Sequence, residues 1–306
     1  MPLFLIENMQ RDATISFPML GNLSLDPPAS FSVFGFTIYF YGVLIALGFL
    51  LAIAFCAHHA PRFGIRPDSF YDMMLWLIPL VIVGARLYYV SFRLDYYLAH
   101  PAEIFAVRDG GLAIYGGVIV GVLVVCLFCR KKKISIPAML DLTVLGLLIG
   151  QIIGRWGNFM NREAFGRETA VFCRMGLTPP GGETVYVHPT FLYESLWNLG
   201  VLLFLLCWGR KGRRRYDGQF TLIYFFAYGL GRAWIEGLRT DSLYIGSTGL
   251  RVSQLLSIIL CLGALALLIV FGRRQHDVHR LYVNRYEEGH EEDEQKEAVT
   301  NEQEVL

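Results

Sequence analysis

The chain has 306 residues, 54% of them hydrophobic, 14% aromatic and only 17% charged, with a mean hydropathy of +0.44, which is too apolar for a soluble enzyme of this length. Its 27 Lys and Arg against 26 Asp and Glu leave a formal charge of +1. No overall field draws it to nucleic acid, and a membrane protein is expected.

Met1–Ser32 is read as an external arm, bounded at residue 33, and Met-Pro-Leu-Phe-Leu-Ile-Glu lacks the basic start of a cleavable signal peptide. Seven runs then come close to the ~20 apolar residues needed to cross hydrocarbon. They are Phe34–Cys56, Met73–Phe92, Gly110–Cys129, Ile134–Gly154, Pro189–Gly209, Gly218–Ile235 and Val252–Gly272. The first, third and last hold no charge, whereas the others hold Arg86, Asp141, Glu194 and Arg232. Residues 34–272 therefore read as an all-α membrane domain of about seven helices. The Gly-, Pro- and charge-rich stretch at about 155–188 would form a small extracytoplasmic cap, and 273–306 a cytoplasmic tail.

Lys and Arg set the orientation. With the N-terminus outside, 16 of them fall on the cytoplasmic side and 9 outside, led by Arg130–Lys133 and by Arg210, Lys211 and Arg213–Arg215. The chain is thus expected N-out and C-in. Ten of the 26 acids lie at or after Asp277, and the tail from about Glu287 has the composition of a disordered segment. Cys126 and Cys129 form a CxxC in an apolar run without a second pair, so packing is expected of them. His58-His59 and His188 are not spaced as ligands, and neither metal nor cofactor is expected.

That topology collects polar residues in the outer half of the membrane: Tyr41, Arg86, Tyr115, Arg155, Glu194 and Arg232. Arginines at such depth are costly unless they pair or hold an anion. Arg232 and Glu236 are four apart on one helical face and suited to pair. Arg86, within Gly84-Ala85-Arg86, suits a structural role beside a close helix contact. The densest polar segment, Gly154-Arg155-Trp156-Gly157-Asn158-Phe159-Met160-Asn161-Arg162-Glu163-Ala164-Phe165-Gly166, supplies guanidinium for phosphate oxygens, amides for ester or glycerol oxygens and glycines for close approach. A phospholipid headgroup at the outer interface fits that set. Structural ion pairs, a transporter or flippase with an anion site, and a non-catalytic scaffold remain alternatives by composition alone.

The same segment resembles the signature G-R-x-G-N-F-x-N-x-E-x-x-G of prolipoprotein diacylglyceryl transferases at every fixed position. Similar to that family also are Tyr41-Gly42, Asp109-Gly110-Gly111-Leu112 leading to Gly116-Gly117, His188-Pro189-Thr190-Phe191-Leu192-Tyr193-Glu194, and Tyr228-Gly229-Leu230-Gly231-Arg232 through Glu236 to Arg239. The resemblance runs from about residue 30 to 272. It implies transfer of the diacylglyceryl group of phosphatidylglycerol to the lipobox cysteine of a preprolipoprotein. The transfer forms a thioether and releases glycerol phosphate, and it takes place at the outer face of the lipid bilayer of the bacterial plasma (inner) membrane. The resemblance makes Arg155, Arg232 and Glu236 the expected catalytic group, and Tyr115 is added to it from its place in the polar layer. It makes Tyr41, Asn158, Glu163, Gly166, Glu194, Tyr228 and Arg239 the expected substrate contacts. Where many members carry histidine, this chain has Tyr115. An ordinary phenol, with pKa about 10, does not serve as a base at neutral pH, so donor, packing and base roles stay open there.

Overall fold

The computed structural model describes residues 12–21, 23–107, 110–240 and 251–285. Asp109, the first eleven residues of the arm and the tail from Glu287 lie outside the described residues. Among the described residues six helices are long and apolar enough to cross a membrane, the first counted together with the short turn of helix that follows it, as Phe40–Phe63. They are α1 (Phe40–His59), α2 (Pro67–Ser91), α4 (Ile114–Lys132), α5 (Ile136–Asn161), α6 (Thr190–Arg210) and α8 (Val252–Gly272), with the short α3 (Leu94–Ala99) after α2. The remaining expected span is also a helix, α7 (Gln219–Glu236), but Gln219, Thr221, Arg232 and Glu236 leave it too polar to meet the same standard.

Helix ends follow local chemistry. Pro67 opens α2, where its missing N–H removes no intrahelical bond. Gly110 and Gly111, at φ 94° and 71°, turn the chain into α4, and Lys133 in the left-handed region closes it while its N–H bonds the Arg130 and Cys129 carbonyls. The first helix begins six residues later than the apolar run. Ser30–Val33 (β3) and Phe36–Tyr39 (β4) form a hairpin, with Phe34 and Gly35 both at positive φ in its two-residue turn. That hairpin exposes Phe34, Phe36 and Tyr39.

The arm and the cap segment, assigned no secondary structure from the sequence, contain strands. Thr14–Phe17 (β1), Leu23–Leu25 (β2), Met175–Thr178 (β5) and Val185–Val187 (β6) build an antiparallel sheet in the order β2-β1-β5-β6. Ile15 pairs with both Leu25 and Leu177. The alternation of β1 buries Ile15 and Phe17 with Met175, Leu177, Val187 and Phe191, and Phe159 and Phe165 pack against that core. The sheet thereby clamps the end of α5 to the start of α6.

The chain divides into two compact units. One comprises the N-terminal segment to Ala52, Val144–Arg214 and Gln219–Gln275; the other comprises Ile53–Thr143, Arg215–Gly218 and the segment from His276. Within the second unit α2 and α4 touch through glycine. A Cβ on Gly116 would lie 2.4 Å from the Gly84 carbonyl oxygen and 2.4 Å from Tyr88 Cβ, so only hydrogen fits. Arg86 is buried beside that contact. Its guanidinium donates to four carbonyls, of Glu103 (2.6 Å), Gly110 (2.7 Å), Ile104 (2.9 Å) and Gly111 (3.0 Å), and so ties down the segment that leads into α4. Asp141 is fully buried and accepts from the Gly218 N–H at 2.8 Å, just before the start of α7.

Candidate functional site

The first unit brings together the charges of α5, α6 and α7. Glu194, 3% exposed in the second turn of α6, is shared by two arginines. Arg155 Nη2 donates to its Oε1 at 2.5 Å, and Arg232 Nη1 lies 3.1 Å from its Oε2. Arg232 Nη2 is in turn 2.7 Å from Glu236 Oε2, an ion contact one helical turn along α7. The result is a chain of alternating sign, Arg155–Glu194–Arg232–Glu236, whose two cations and two anions balance. Both guanidinium groups are partly buried, with side-chain exposures of 22% for Arg155 and 15% for Arg232, and both carboxylates are nearly sealed. In such surroundings a lone charge is costly while a paired one is held firmly.

The rest of the signature holds Arg155 from its other side. Arg155 Nη1 donates to Asn158 Oδ1 at 3.2 Å, and Asn158 Nδ2 donates to Glu163 Oε1 at 2.9 Å. The Glu163 N–H reaches back to the Asn158 carbonyl at 3.0 Å, closing the turn that ends α5. Gly157 is required where the Tyr41 ring lies on it, since a Cβ there would come within 2.5 Å of the ring. Tyr41 of α1 is thus seated on the signature. Gly166 is equally confined: its N–H donates to the His188 carbonyl at 2.9 Å, and it sits opposite Arg239 in an isolated bridge. A Cβ at Gly166 would stand 2.6 Å from His188 Cβ and 3.0 Å from the Leu238 carbonyl oxygen. Tyr228 stacks on Tyr224 one turn further down α7, with ring centroids 5.5 Å apart.

Of the residues singled out in the sequence, Tyr41, Arg155, Asn158, Glu163, Gly166, Glu194, Tyr228, Arg232, Glu236 and Arg239 all belong to this unit. Tyr115 does not. It is the second residue of α4 in the other unit, with 47% of its surface exposed.

Some residues that hold the site, Arg162 and Arg251 among them, were given no role by the sequence. Arg162, at a variable position of the signature, is buried at φ 53° and donates to the carbonyls of Ala13 (2.5 Å), Pro27 (2.9 Å) and Met160 (3.2 Å) and to Asp26 Oδ1 (2.6 Å). It fastens the signature to the N-terminal strand. Arg251 Nη1 donates to the Glu236 carbonyl, bringing another cation to the end of α7. His188 Nδ1 and Cys173 Sγ lie 3.3 Å and 3.2 Å from the Tyr193 hydroxyl. Burial first, and Arg167 second, hold the His188 imidazole below its usual pKa.

Chemically, the cluster offers two guanidinium groups side by side whose shared partner is a carboxylate. A phosphate diester presents the same charge and the same paired oxygens, so it can take over bonds now made to Glu194.

Comparison with known proteins bears on what that anion is. The family model described as prolipoprotein diacylglyceryl transferase matches residues 28–270. A phosphatidylglycerol--prolipoprotein diacylglyceryl transferase of Finegoldia magna is 44% identical over 245 residues, covering 80% of this chain and 96% of that protein. Those of Limosilactobacillus reuteri and Enterococcus faecalis are 44% and 42% identical, covering 83% and 80% of this chain and 94% and 90% of their own lengths.

Proposed function

The chain belongs to the prolipoprotein diacylglyceryl transferase family, and from that premise we propose how its charged cluster carries out the transfer. It is a membrane transferase that moves the diacylglyceryl group of phosphatidylglycerol to prolipoprotein, the first step of lipoprotein maturation. The acceptor is the thiol of a lipobox cysteine. The sulfur forms a bond to the glycerol carbon while that carbon's bond to the phosphate oxygen breaks. A thioether and glycerol phosphate result, and the thiol proton passes to solvent.

Arg155 and Arg232 clamp the phosphate, each turning from Glu194 toward its oxygens, and oppose the charge that grows on the leaving group. Glu236 holds Arg232 in place, and Glu194 keeps the guanidinium pair compensated until lipid arrives. Asn158 and Glu163 set the angle of Arg155, Gly166 lets the Arg239 backbone approach the signature, and Tyr41 and Tyr228 flank the lipid. An unperturbed thiol is a few per cent ionised near neutrality, and adjacent guanidinium raises that fraction, so the attack needs no strong base.

The Lys and Arg asymmetry favours seven crossings with the N-terminus outside and the site toward the outer leaflet of the bacterial plasma membrane. Residues 34–272 form the membrane domain, flanked by the arm (1–33) and the cytoplasmic tail (273–306), and the segment at about 155–188 caps it outside. The observation that carries this reading is the Glu194 carboxylate lying between two guanidinium groups, a place made for an exchangeable anion. Incubating the purified protein with phosphatidylglycerol labelled in the glycerol of its diacylglyceryl group and a lipobox peptide tests it. The label should appear on the peptide in a thioether resistant to mild base and to reduction, with glycerol phosphate in equal amount. Release of free fatty acid, or label on a peptide whose cysteine is replaced by serine, would contradict it.

A further inference from the structure

One helical turn from the Arg155–Glu194 contact the same helix faces carry amides in place of charges. Gln151 precedes Arg155 by four on α5, and Asn198 follows Glu194 by four on α6. The contacts put both at one level. Arg232 meets Glu194, whereas Trp197 donates to the Ala227 carbonyl at 2.9 Å and lies so close to Gly231 that a Cβ there would come within 2.2 Å of its indole nitrogen. Rising numbers on α6 therefore meet falling numbers on α7, and Asn198 stands at the level of Tyr228. On α5, Gln151 Nε2 donates to the Tyr224 hydroxyl at 2.8 Å, so α5 and α7 run the same way and Gln151 shares that level. Because α5 leaves the membrane at its Asn161 end in the topology proposed above, this layer lies about 5.4 Å deeper than the guanidinium groups.

Two atoms of this layer stand out. Asn198 is 1% exposed, yet its Nδ2 has no hydrogen-bond partner among the described residues, and neither has the buried Gln151 Oε1. Unsatisfied amides at such depth are costly and call for an occupant. The Gln151 amide can meet the Tyr224 hydroxyl by either end, because a phenol both donates and accepts, so its other end is free to donate as well. With the phosphate on Arg155 and Arg232, the next polar atoms of a phosphatidyl lipid, a few bonds nearer the hydrocarbon, are its ester carbonyls. They accept hydrogen bonds and carry no charge, which matches amides and not guanidinium.

We infer that Asn198 and Gln151 form a neutral subsite that binds the acyl-ester carbonyls of the diacylglyceryl group, one turn inward from the phosphate clamp. The inference rests on the transfer reaction and clamp proposed above. It makes the enzyme a reader of the bond that joins acyl chain to glycerol, and not only of the headgroup.

An ether-linked phosphatidylglycerol with the same chain lengths keeps phosphate and glycerol but lacks both carbonyls. The experiment compares kcat/KM for ester and ether lipids, with one lipobox peptide and equal mixed-micelle composition, in wild type, Asn198→Leu and Gln151→Leu. Wild type should prefer the ester lipid by about three- to tenfold, the worth of one hydrogen bond. Asn198→Leu should bring that ratio close to one, and Gln151→Leu should lower it. If Asn198→Leu does not accumulate as folded protein, Asn198→Ser, whose short hydroxyl falls short of a carbonyl, takes its place. A wild-type ratio near one, as expected if water fills the layer, overturns the subsite, and so does a preference unchanged in the variants. If wild type transfers neither lipid to the peptide, it is the proposed reaction that has failed.

Discussion

Arg86 and the pair Arg155 and Arg232 are all arginines removed from bulk water, and their partners give them opposite characters. Arg86 is surrounded by four backbone carbonyls, of Glu103, Ile104, Gly110 and Gly111, and no incoming anion can replace them without displacing that backbone. Arg155 and Arg232 share one carboxylate on a side chain with its own rotamers, so their pairing can be exchanged for another anion at little cost to the backbone. Burial of an arginine in a membrane protein is therefore not by itself a mark of function. The chemistry of the partner separates a rivet from a binding site.

The contrast is tested most severely by lysine, which keeps the charge and loses the planar fork. Arg155→Lys and Arg232→Lys should each lower kcat/KM by about 10²–10³-fold at equal amounts of folded protein, the usual effect of removing a transition-state donor. Initial rates of peptide lipidation, normalised to monodisperse protein in detergent, measure this. Near-wild-type turnover in both would show that a point charge suffices and that no phosphate is held bidentately. Arg86→Lys should behave in the opposite way. An ammonium has three donors and cannot reach four divergent carbonyls, so stability should fall by about 3 kcal/mol while turnover per folded molecule stays within about threefold. A large drop in turnover without a drop in unfolding temperature would move Arg86 into the chemistry.

How far the sequence foretells this contrast depends on distance along the chain. The apolar runs that became α1, α2, α4, α5, α6 and α8 were legible because a helix satisfies its backbone internally and the bilayer asks only for length and apolarity. Arg232 and Glu236 were legible as a pair because both lie on one helix. By contrast β1 joins β5 across some 160 residues, and nothing in Thr14-Ile15-Ser16-Phe17 names its partner. The hairpin that delays α1 hid because Phe34 and Ile38 are as apolar as the helix that follows. Glu194 drew notice as a lone charge, but its position between two arginines comes from the packing of three helices, and Asn198 and Gln151, as neutral amides in apolar runs, drew none. The Tyr115 substitution was plain in sequence, whereas its placement in the second compact unit was not.

The smallest expected effect concerns the cap, where a histidine joins two parts of the fold. The His188 backbone accepts from Gly166 at 2.9 Å and donates to the Arg167 carbonyl at 3.2 Å, so this residue joins the end of the signature to the start of α6. Burial, with Arg167 second, lowers the pKa of its ring in the folded protein. The unfolded chain then takes up the proton first as pH falls. The contribution of His188 to stability is fully present above its unfolded pKa of about 6.5 and is lost as pH falls through the lower folded value. Protonation also fixes Nδ1 as a donor, leaving the Tyr193 hydroxyl, 3.3 Å away, to direct its own proton toward Cys173. Amide exchange at Gly166 and His188, followed from pH 8 to pH 5, should show protection falling on the acid side by less than about tenfold, in keeping with one neutral hydrogen bond. In His188→Asn, which cannot titrate, the same amides should exchange with a pH dependence no steeper than the intrinsic chemistry of exchange. An equal loss of protection in that variant would assign the acid sensitivity to Glu163 or Glu168 instead, and would leave His188 a purely steric link between the signature and α6.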